Sequence, residues 1–255
     1  MVGTRPTAPR VEGPLVRSAA LNGLAGLIVT LGLGFGLSWA LALGESFVPK
    51  SLAVYVVVLG VAVHFLPLHR PRLRLGPANQ VTLVRAVLIS LLAALVGEGA
   101  SPDLAWTALA LALIAETLDG LDGHLARRWD WASAFGARFD LETDALLVAV
   151  LAALAWTLDK TGPWVLAAGL LRYLFLGAAY LWTWMRRPLP PSRRRQAVCV
   201  LQVLTLTLAL TPVLPPNWSE PVAAAGLVLL CWSFALDTLW LADRTGRVVR
   251  AEELP

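Results

Sequence analysis

Residues 116–144 read ETLDGLDGHLARRWDWASAFGARFDLETD. Seven of the 17 acidic residues of the chain fall in this short stretch, and long apolar segments flank it on both sides. A polar hairpin between two apolar segments is typical of a helical membrane protein. The stretch therefore decides the fold class, and it also marks where polar chemistry is concentrated.

The composition excludes most classes of water-soluble protein. Of the 255 residues, 57% are hydrophobic and 15% are charged, and the mean hydropathy is +0.67. A soluble domain is about 45–50% apolar and about 25% charged. A disordered protein and a disulfide scaffold are also excluded, and continuous rather than alternating apolar segments disfavour an outer-membrane β-barrel. We predict an all-α bundle of transmembrane helices.

Eight apolar segments are long enough to cross a bilayer, at about 20 residues per span. The fourth and fifth contain few purely apolar residues, so we expect their helices to continue into polar ends. The segments cover residues 21–43, 51–68, 79–97, 103–118, 140–159, 163–185, 196–214 and 221–243.

Basic residues are concentrated in every second loop. Arginines occur near both termini and after the second, fourth and sixth spans, whereas the other loops contain only Lys50 and Lys160. Cytoplasmic loops of membrane proteins carry an excess of Lys and Arg. We therefore expect both termini and the acidic stretch on the cytoplasmic side, in the inner membrane of a bacterium.

The acidic stretch contains two carboxylate pairs at helical spacing. Asp119 and Asp122 are three residues apart, and Asp140 and Asp144 are four residues apart. Each pair therefore lies on one face of a helix. The first pair closes the fourth span and the second opens the fifth, so the hairpin between them brings four carboxylates together near the cytoplasmic boundary.

Four neighbouring negative charges at a membrane boundary need compensation. Two divalent cations would supply it, and oxygen donors favour Mg²⁺, Mn²⁺ or Ca²⁺ over Zn²⁺. A two-metal site flanked by arginine suits a phosphorylated substrate. The residues alone leave open that the carboxylates instead form ion pairs in a loop with Arg127, Arg128 and Arg138.

Eight residues of the stretch form a spaced pattern, Asp119-x-x-Asp122-Gly123-x-x-Ala126-Arg127 and, after eight residues, Gly136-x-x-x-Asp140-x-x-x-Asp144. The pattern meets every fixed position in the signature of the CDP-alcohol phosphatidyltransferases, and it therefore resembles that family. The segment PANQVTLVR at 77–85 is similar to the family's first core helix, which often reads Pro-Asn-x-x-Thr-x-x-Arg, but Ala78 is inserted.

The resemblance implies a chain of four parts. They are a cytoplasmic tail, two additional N-terminal transmembrane helices, a six-helix CDP-alcohol phosphotransferase-like core and a second cytoplasmic tail, at residues 1–20, 21–76, 77–243 and 244–255. Members are usually homodimers with a polar cavity open to the cytoplasm, so a homodimer is expected. The resemblance gives the two additional helices no role.

The family transfers a phosphatidyl or phosphoalcohol group from a CDP-linked donor to an alcohol and releases CMP. The resemblance thus implies an integral-membrane enzyme of phospholipid synthesis that uses CDP-diacylglycerol, a small polar alcohol and two divalent ions, Mg²⁺ or Mn²⁺. Its implied partners are the CDP-linked lipid donor, the alcohol acceptor and membrane lipids, with no nucleic acid polymer.

Motif position implies a role for each matching residue. Asp119, Asp122 and Asp140 would bind the metals, and Asp144 would be the general base and would also touch a metal. Spacing alone does not distinguish Asp144 from Asp140 as the base. Small side chains would let a nucleotide approach the backbone closely. The implied substrate-binding residues of the motif are Gly123, Ala126, Arg127 and Gly136.

Other polar residues are further candidates for substrate binding. Asn79, Thr82 and Arg85 share one helical face and could contact the nucleotide; capping of the helix start, with Arg85 snorkelling, is the alternative. Arg138 is a candidate for steering the acceptor. Arg172 lies about nine residues into the sixth span, where an arginine could bind an acceptor phosphate or pair with Glu116.

Three other functions remain open. The motif serves equally a CDP-aminoalcohol phosphotransferase with diacylglycerol as acceptor. A cation transporter could bind its ion at the four aspartates, although transporters usually show inverted repeats and midplane sites, which the sequence does not suggest. A non-catalytic membrane scaffold could retain the motif. Inositol phosphate, glycerol phosphate, serine and choline all fit as acceptors, and the abundance of arginine favours a phosphorylated one.

Overall fold

The structure is a computed structural model that describes the backbone of residues 13–128, 131 and 133–252. The side chains of residues 121–128 and 244–252 lie outside this description. Within the described residues the chain forms eight α-helices and three short 3₁₀-helices and contains no β-strand. The predicted all-α fold is therefore confirmed.

The helices follow the predicted spans in order. As expected, the fourth and fifth helices continue into polar sequence, to Arg128 and from Ala134. The sixth span is divided into the 3₁₀-helix Pro163–Leu166, the helix Ala167–Leu181 and the 3₁₀-helix Thr183–Arg186. The α-helices are α1 Gly13–Leu41, α2 Phe47–Phe65, α3 Gly76–Leu95, α4 Pro102–Arg128, α5 Ala134–Thr157, α6 Ala167–Leu181, α7 Arg193–Leu210 and α8 Pro216–Glu252.

Five helical segments of the described chain are long and apolar enough to cross a membrane. Helices α4, α5 and α7 are not among them, and each carries several charged residues toward one end. Large apolar side chains are exposed along the spanning helices, including Trp39 at 88%, as expected for surfaces in contact with lipid. The five segments are Gly13–Leu41, Phe47–His69, Gly76–Leu95, Pro163–Leu181 and Pro216–Asp243.

The chain divides into two compact units, and the first contains the described residues of Met1–Glu98 and Ala110–Asp144. Helix α3 is buried along most of its length in this unit. Helices α1 and α2 approach closely at Gly26, which has no side chain. A Cβ at this position would overlap the hydroxyl of Tyr55 on α2. That hydroxyl donates to the carbonyl oxygen of Gly23 at 3.3 Å. The two N-terminal helices are thus joined by a buried hydrogen bond.

The second unit contains the described residues of Gly99–Leu109 and Ala145–Pro255. A small core of Ala168, Val198 and Leu230 joins α6, α7 and α8. Lys160, in the loop after α5, donates from Nζ to the carbonyl oxygens of Thr211 at 3.1 Å and Leu214 at 2.7 Å. These bonds connect the loop after α5 to the loop after α7.

Candidate active site

Three aspartates and one arginine converge in the first unit. Arg85, on α3, is completely buried, and its Nη1 lies 2.8 Å from Oδ1 of Asp119 and 2.6 Å from Oδ1 of Asp140. Its Nη2 donates to Oδ1 of Asp144. The alternative in which Arg85 snorkels to the surface is therefore wrong, because its guanidinium is held among the carboxylates.

The aspartates, unlike the arginine, are accessible. The side chains of Asp119, Asp140 and Asp144 are 42%, 39% and 42% exposed, whereas Arg85 has no exposed surface. Arg85 therefore closes the buried side of the cluster and leaves the carboxylates reachable from the other. Within the described side chains, the Arg85 guanidinium supplies one positive charge against three carboxylates, so these carboxylates could bind a further cation.

The donor set of this cluster fits a divalent cation. One carboxylate oxygen from each of Asp119, Asp140 and Asp144 lies within 4.8 Å of the others, so the three could share an ion. Hard oxygen ligands are those that Mg²⁺ and Mn²⁺ prefer. The sequence predicted that the carboxylates of α4 and α5 lie close together. The structure confirms this for Asp119, Asp140 and Asp144.

Helix α5 presents Asp140 and Asp144 one turn apart. On a neighbouring face Phe135 and Phe139 are each 1% exposed, and their rings stack with centroids 5.7 Å apart. Burial of these two rings fixes the rotation of the helix about its axis. The aspartate face is thereby turned toward Arg85.

Gly136 lies where α5 meets α3. A Cβ at this position would lie 2.7 Å from Oδ1 of Asn79 and 3.3 Å from Oγ of Ser133, so a side chain here would displace the buried Asn79 amide. The N–H of Gly136 donates to Oγ of Ser133 at 3.0 Å, which caps the first turn of α5. A role for Gly136 in substrate binding stays a prediction.

The polar face predicted for α3 is buried. Asn79 and Thr82 are 4% and 3% exposed. Asn79 donates from Nδ2 to the carbonyl oxygen of Leu75, and Thr82 donates from Oγ1 to that of Ala78 at 3.2 Å. Asn79 and Thr82 lie on the face of α3 that also carries Arg85. Their contact with a nucleotide stays a prediction.

Two other arginines predicted to bind substrate have different surroundings. Nε of Arg138 lies 3.3 Å from Oε1 of Glu142, and its guanidinium carbon lies 5.1 Å from the ring centre of Phe65. Among the described side chains Arg138 thus pairs with Glu142 rather than with Asp119, Asp140 or Asp144; the side chains of Arg127 and Arg128, the other two arginines of the loop alternative, lie outside the description. Arg172 lies on α6, in the second unit. Their roles toward an acceptor stay predictions.

The remaining motif residues fall where only the backbone is described. Helix α4 continues to Arg128, so it carries these residues beyond Asp119, but their side chains lie outside the described residues. They are the expected metal ligand Asp122 and the expected substrate-binding residues Gly123, Ala126 and Arg127.

Sequence reasoning missed two arrangements. It placed Arg85 near the substrate and did not identify it as the counter-ion of the aspartates, although a buried arginine requires acidic partners and residues 116–144 are rich in them. It also assigned no partner to Asp237, whose Oδ1 accepts from Nη2 of Arg194 and lies 3.6 Å from Nη1 of Arg195. No local pattern predicts that second pairing.

The family model for CDP-alcohol phosphatidyltransferases matches residues 76–237, which is more than half of the chain. The chain therefore belongs to this family, and the resemblance of its motif is confirmed. It is an integral membrane enzyme of phospholipid synthesis that uses a CDP-linked lipid donor and an alcohol acceptor.

Two relatives come from Mycobacterium tuberculosis, strains CDC 1551/Oshkosh and ATCC 25618/H37Rv. Each is named probable phosphatidylglycerophosphate synthase and is 29% identical to this chain over 178 residues. The alignment covers 68% of this chain and 81% of each relative. No solved structure matches the chain.

Proposed function

We propose that this enzyme transfers the phosphatidyl group of CDP-diacylglycerol to a hydroxyl of glycerol phosphate and releases CMP. The observation that carries the proposal is the triad of Asp119, Asp140 and Asp144, whose oxygens lie within 4.8 Å on the two helices of the family motif. The acceptor is inferred from the name of the mycobacterial relatives. It also suits a chain with abundant arginine.

In the proposed reaction Asp144 accepts the proton of the acceptor hydroxyl. The hydroxyl oxygen attacks the phosphorus that bears the diacylglycerol, and a new phosphate ester bond forms. The bond from that phosphorus to the bridging oxygen of the diphosphate breaks, and CMP leaves with the bridging oxygen. Asp140 is the alternative base, since both carboxylates contact Arg85.

The aspartates would hold two divalent ions, Mg²⁺ or Mn²⁺, with Asp122 as the fourth ligand. When bound, the ions neutralise the diphosphate and stabilise the departing CMP. Arg85 orients Asp140 and Asp144 through the two ends of its guanidinium, which fixes the base before the substrate arrives. The proposed substrate contacts of the first unit are Asn79, Thr82, Gly123, Ala126, Arg127, Gly136 and Arg138. Arg85, predicted as a further contact, has no exposed surface, so we propose that it acts through the aspartates. Arg172 stays a separate candidate for binding an acceptor phosphate.

We also retain the expected organisation as part of the proposal. The acidic site and both termini would face the cytoplasm of a bacterial inner membrane, residues 77–243 would form the family core, and two chains would form a homodimer. The distribution of arginine between alternate loops supports the orientation. Labelling of single cysteines introduced at Lys50 and at Arg74 in intact cells, after replacement of Cys199 and Cys231, would test it: only the first should react.

The reaction can be tested with purified protein in detergent micelles that contain CDP-diacylglycerol, glycerol 3-phosphate and Mn²⁺. We expect CMP release and a lipid with the mass of phosphatidylglycerophosphate. Asp144→Asn should lower the rate by about 10²–10⁴-fold, since a general base contributes that much. Glu142→Gln is the matched control on the same helix, because Glu142 pairs with Arg138 and is not one of the three clustered carboxylates, and it should keep most of the activity.

Further arms of the assay separate the alternatives. CMP release from CDP-choline with diacylglycerol, and none from CDP-diacylglycerol, would replace the proposal with the aminoalcohol reaction. A faster reaction with inositol phosphate would change the acceptor and keep the donor. A folded protein that binds Mn²⁺ and releases CMP from neither donor would overturn the proposed reaction.

A further inference from the structure

The linker between α2 and α3 contacts the start of the helix that carries two of the aspartates. His69, which ends the 3₁₀-helix Leu66–His69, is completely buried. Its Nε2 lies 2.8 Å from the carbonyl oxygen of Arg74. A carbonyl oxygen only accepts hydrogen bonds, so Nε2 carries the proton, and Nδ1 of the neutral ring is the acceptor.

Nδ1 of His69 lies 3.0 Å from Oγ of Ser133, the residue that precedes α5. The Ser133 hydroxyl therefore donates to His69 while it accepts from the N–H of Gly136 at 3.0 Å. A chain of hydrogen bonds thus runs from Gly136 through Ser133 and His69 to Arg74. Neighbouring hydrogen bonds of this kind polarise and strengthen one another. The chain ends at Gly136, one helical turn before Asp140.

Aromatic packing adds a second contact between the same elements. The His69 ring meets Phe135 edge-on, with centroids 5.2 Å apart and planes at 71°. Phe135 stacks in turn on Phe139, and Arg138 covers the ring of Phe65 at the end of α2. The linker therefore contacts the start of α5 through the His69 ring as well as through a hydrogen bond, and the end of α2 contacts the second turn of α5 through Phe65 and Arg138. Phe135 and Phe139 lie on the face next to the aspartates.

The N-terminal helices hold this linker in place. The N–H of Leu75 donates to Oγ of Ser18, on α1, at 3.3 Å. Nε2 of Gln80, on α3, donates to Oδ1 of Asn22, on α1, at 3.0 Å. The C-terminal end of the linker and the start of α3 are thus bonded to α1, and the other end of the linker continues directly from α2. These are the two helices for which the family resemblance implies no role.

We propose that His69 is a positioning residue for the aspartate cluster, acting through Ser133 to hold the first turns of α5 so that Asp140 and Asp144 face Arg85 and Asp119. The inference rests on the proposed function and extends it. It assigns α1 and α2 the task of anchoring the linker that carries His69. Small displacements of α5 would move two carboxylates away from the third, and their joint affinity for a divalent ion would fall.

The test measures two half-saturating Mn²⁺ concentrations of the purified full-length protein. The first gives half of the maximal rise in melting temperature, and the second gives half of the maximal rate of CMP release. The variants are His69→Ala, which removes both hydrogen bonds of the ring, and His69→Asn, whose amide oxygen can replace Nδ1 as acceptor. Tyr55→Phe is the matched control, because Tyr55 is equally buried and its hydroxyl bonds to Gly23 of α1.

We expect His69→Ala to raise both half-saturating Mn²⁺ concentrations by about tenfold, the lower end of the range for loss of a residue that orients metal ligands, because His69 acts on the aspartates through Ser133 and the start of α5. His69→Asn should remain within about twofold of the wild type. Tyr55→Phe should lower the melting temperature and leave both Mn²⁺ concentrations unchanged. Because His69 and Ser133 act through one chain of bonds, adding Ser133→Ala to His69→Ala should cause little further change.

Equal Mn²⁺ concentrations for His69→Ala, Tyr55→Phe and the wild type would overturn the inference and leave His69 a purely structural residue. Should His69→Ala fail to fold, Ser133→Ala takes its place with the same expected shift. A wild-type protein that Mn²⁺ stabilises but that releases no CMP would defeat the proposed reaction, while the melting experiment would still decide on His69. A wild-type protein that Mn²⁺ does not stabilise would overturn the inference together with the metal site.

Discussion

Two arginine–aspartate clusters in this protein have opposite ratios of charge. Among the described side chains of the first unit, one buried arginine, Arg85, faces three aspartates whose side chains are about two-fifths exposed. In the second unit the side chain of Asp237 is only 12% exposed and faces Arg194 and Arg195. The first cluster has an excess of accessible negative charge, and the second encloses one carboxylate with two cations.

The ratio of carboxylates to arginines and the exposure of the carboxylates therefore distinguish a candidate cation site from a structural ion pair. Nη1 of Arg194 also donates to the carbonyl oxygen and the hydroxyl of Ser233, at 2.7 and 2.8 Å, so the second cluster is closed by protein groups. An excess of neighbouring carboxylates is unfavourable until a cation joins them. Divalent ions should therefore act on the cluster around Arg85 and leave that around Asp237 unaffected.

The largest effect is expected from Arg85→Gln. Loss of the guanidinium leaves three carboxylates without their counter-ion, and the free energy of unfolding in EDTA should fall by about 2 kcal/mol, less than for a fully buried pair because the aspartates are partly exposed. Mn²⁺ should recover much of this loss, so the Mn²⁺-induced rise in melting temperature should exceed that of the wild type. The rate of CMP release should also fall, by about 10–100-fold, because Asp140 and Asp144 lose their orientation.

The corresponding change in the second cluster is Asp237→Asn. It removes the ion pairs with Arg194 and Arg195 and should cost about 1 kcal/mol of stability. This loss should be the same in EDTA and in Mn²⁺, with CMP release close to that of the wild type. A loss at Asp237 that Mn²⁺ reverses, or one at Arg85 that Mn²⁺ leaves unchanged, would contradict the distinction between the two clusters.

The spacing of residues within one helix, or across one hairpin, was enough to predict the aspartate cluster. Asp140 and Asp144 are one helical turn apart, and the hairpin to α4 necessarily brings Asp119 near them. The central position of Arg85 was not predictable, because spacing assigns a residue to a face and does not say which helix packs against that face. The contact of His69 with Ser133 joins residues 64 positions apart, and it depends on tertiary packing alone.

The fold shows the same limit. Hydropathy located the helices in order, but it averages over a window and does not detect where a helix ends. The single span predicted at 163–185 ends its α-helix at Leu181, since Trp182 is extended, with φ −109° and ψ 106°. The helix predicted at 221–243 begins at Pro216 and continues to Glu252, because backbone hydrogen bonding extends a helix beyond its apolar part.

A third ion pair, between Glu98 and Lys50, shows the balanced case between these two clusters. In the loop after α3, its Oε1 lies 2.6 Å from Nζ of Lys50 and 3.2 Å from Oγ of Ser46, and its Oε2 accepts from the N–H of Gly44 at 3.0 Å. Partial burial acts to raise the pKa of Glu98, but the hydrogen bonds from Lys50 and Gly44 outweigh it and hold the pKa below its ordinary value of 4.5. The ionised form is therefore the one that the folded loops favour.

The smallest effect is accordingly expected from Glu98→Gln. A carboxyl whose pKa is lower in the folded chain contributes stability above its unfolded pKa and loses that contribution as the pH falls through the folded value. The wild type should thus exceed the variant by about 0.5 kcal/mol at pH 7, since Lys50 is 40% exposed. The difference should begin to fall as the pH drops below the ordinary value of 4.5, should vanish below the lower pKa of the folded chain, and should not respond to Mn²⁺. Melting temperatures of both proteins measured from neutral to acid pH check this, and a difference that persists in acid would show that the neutral donors, Gly44 and Ser46, hold the two loops together without the charge.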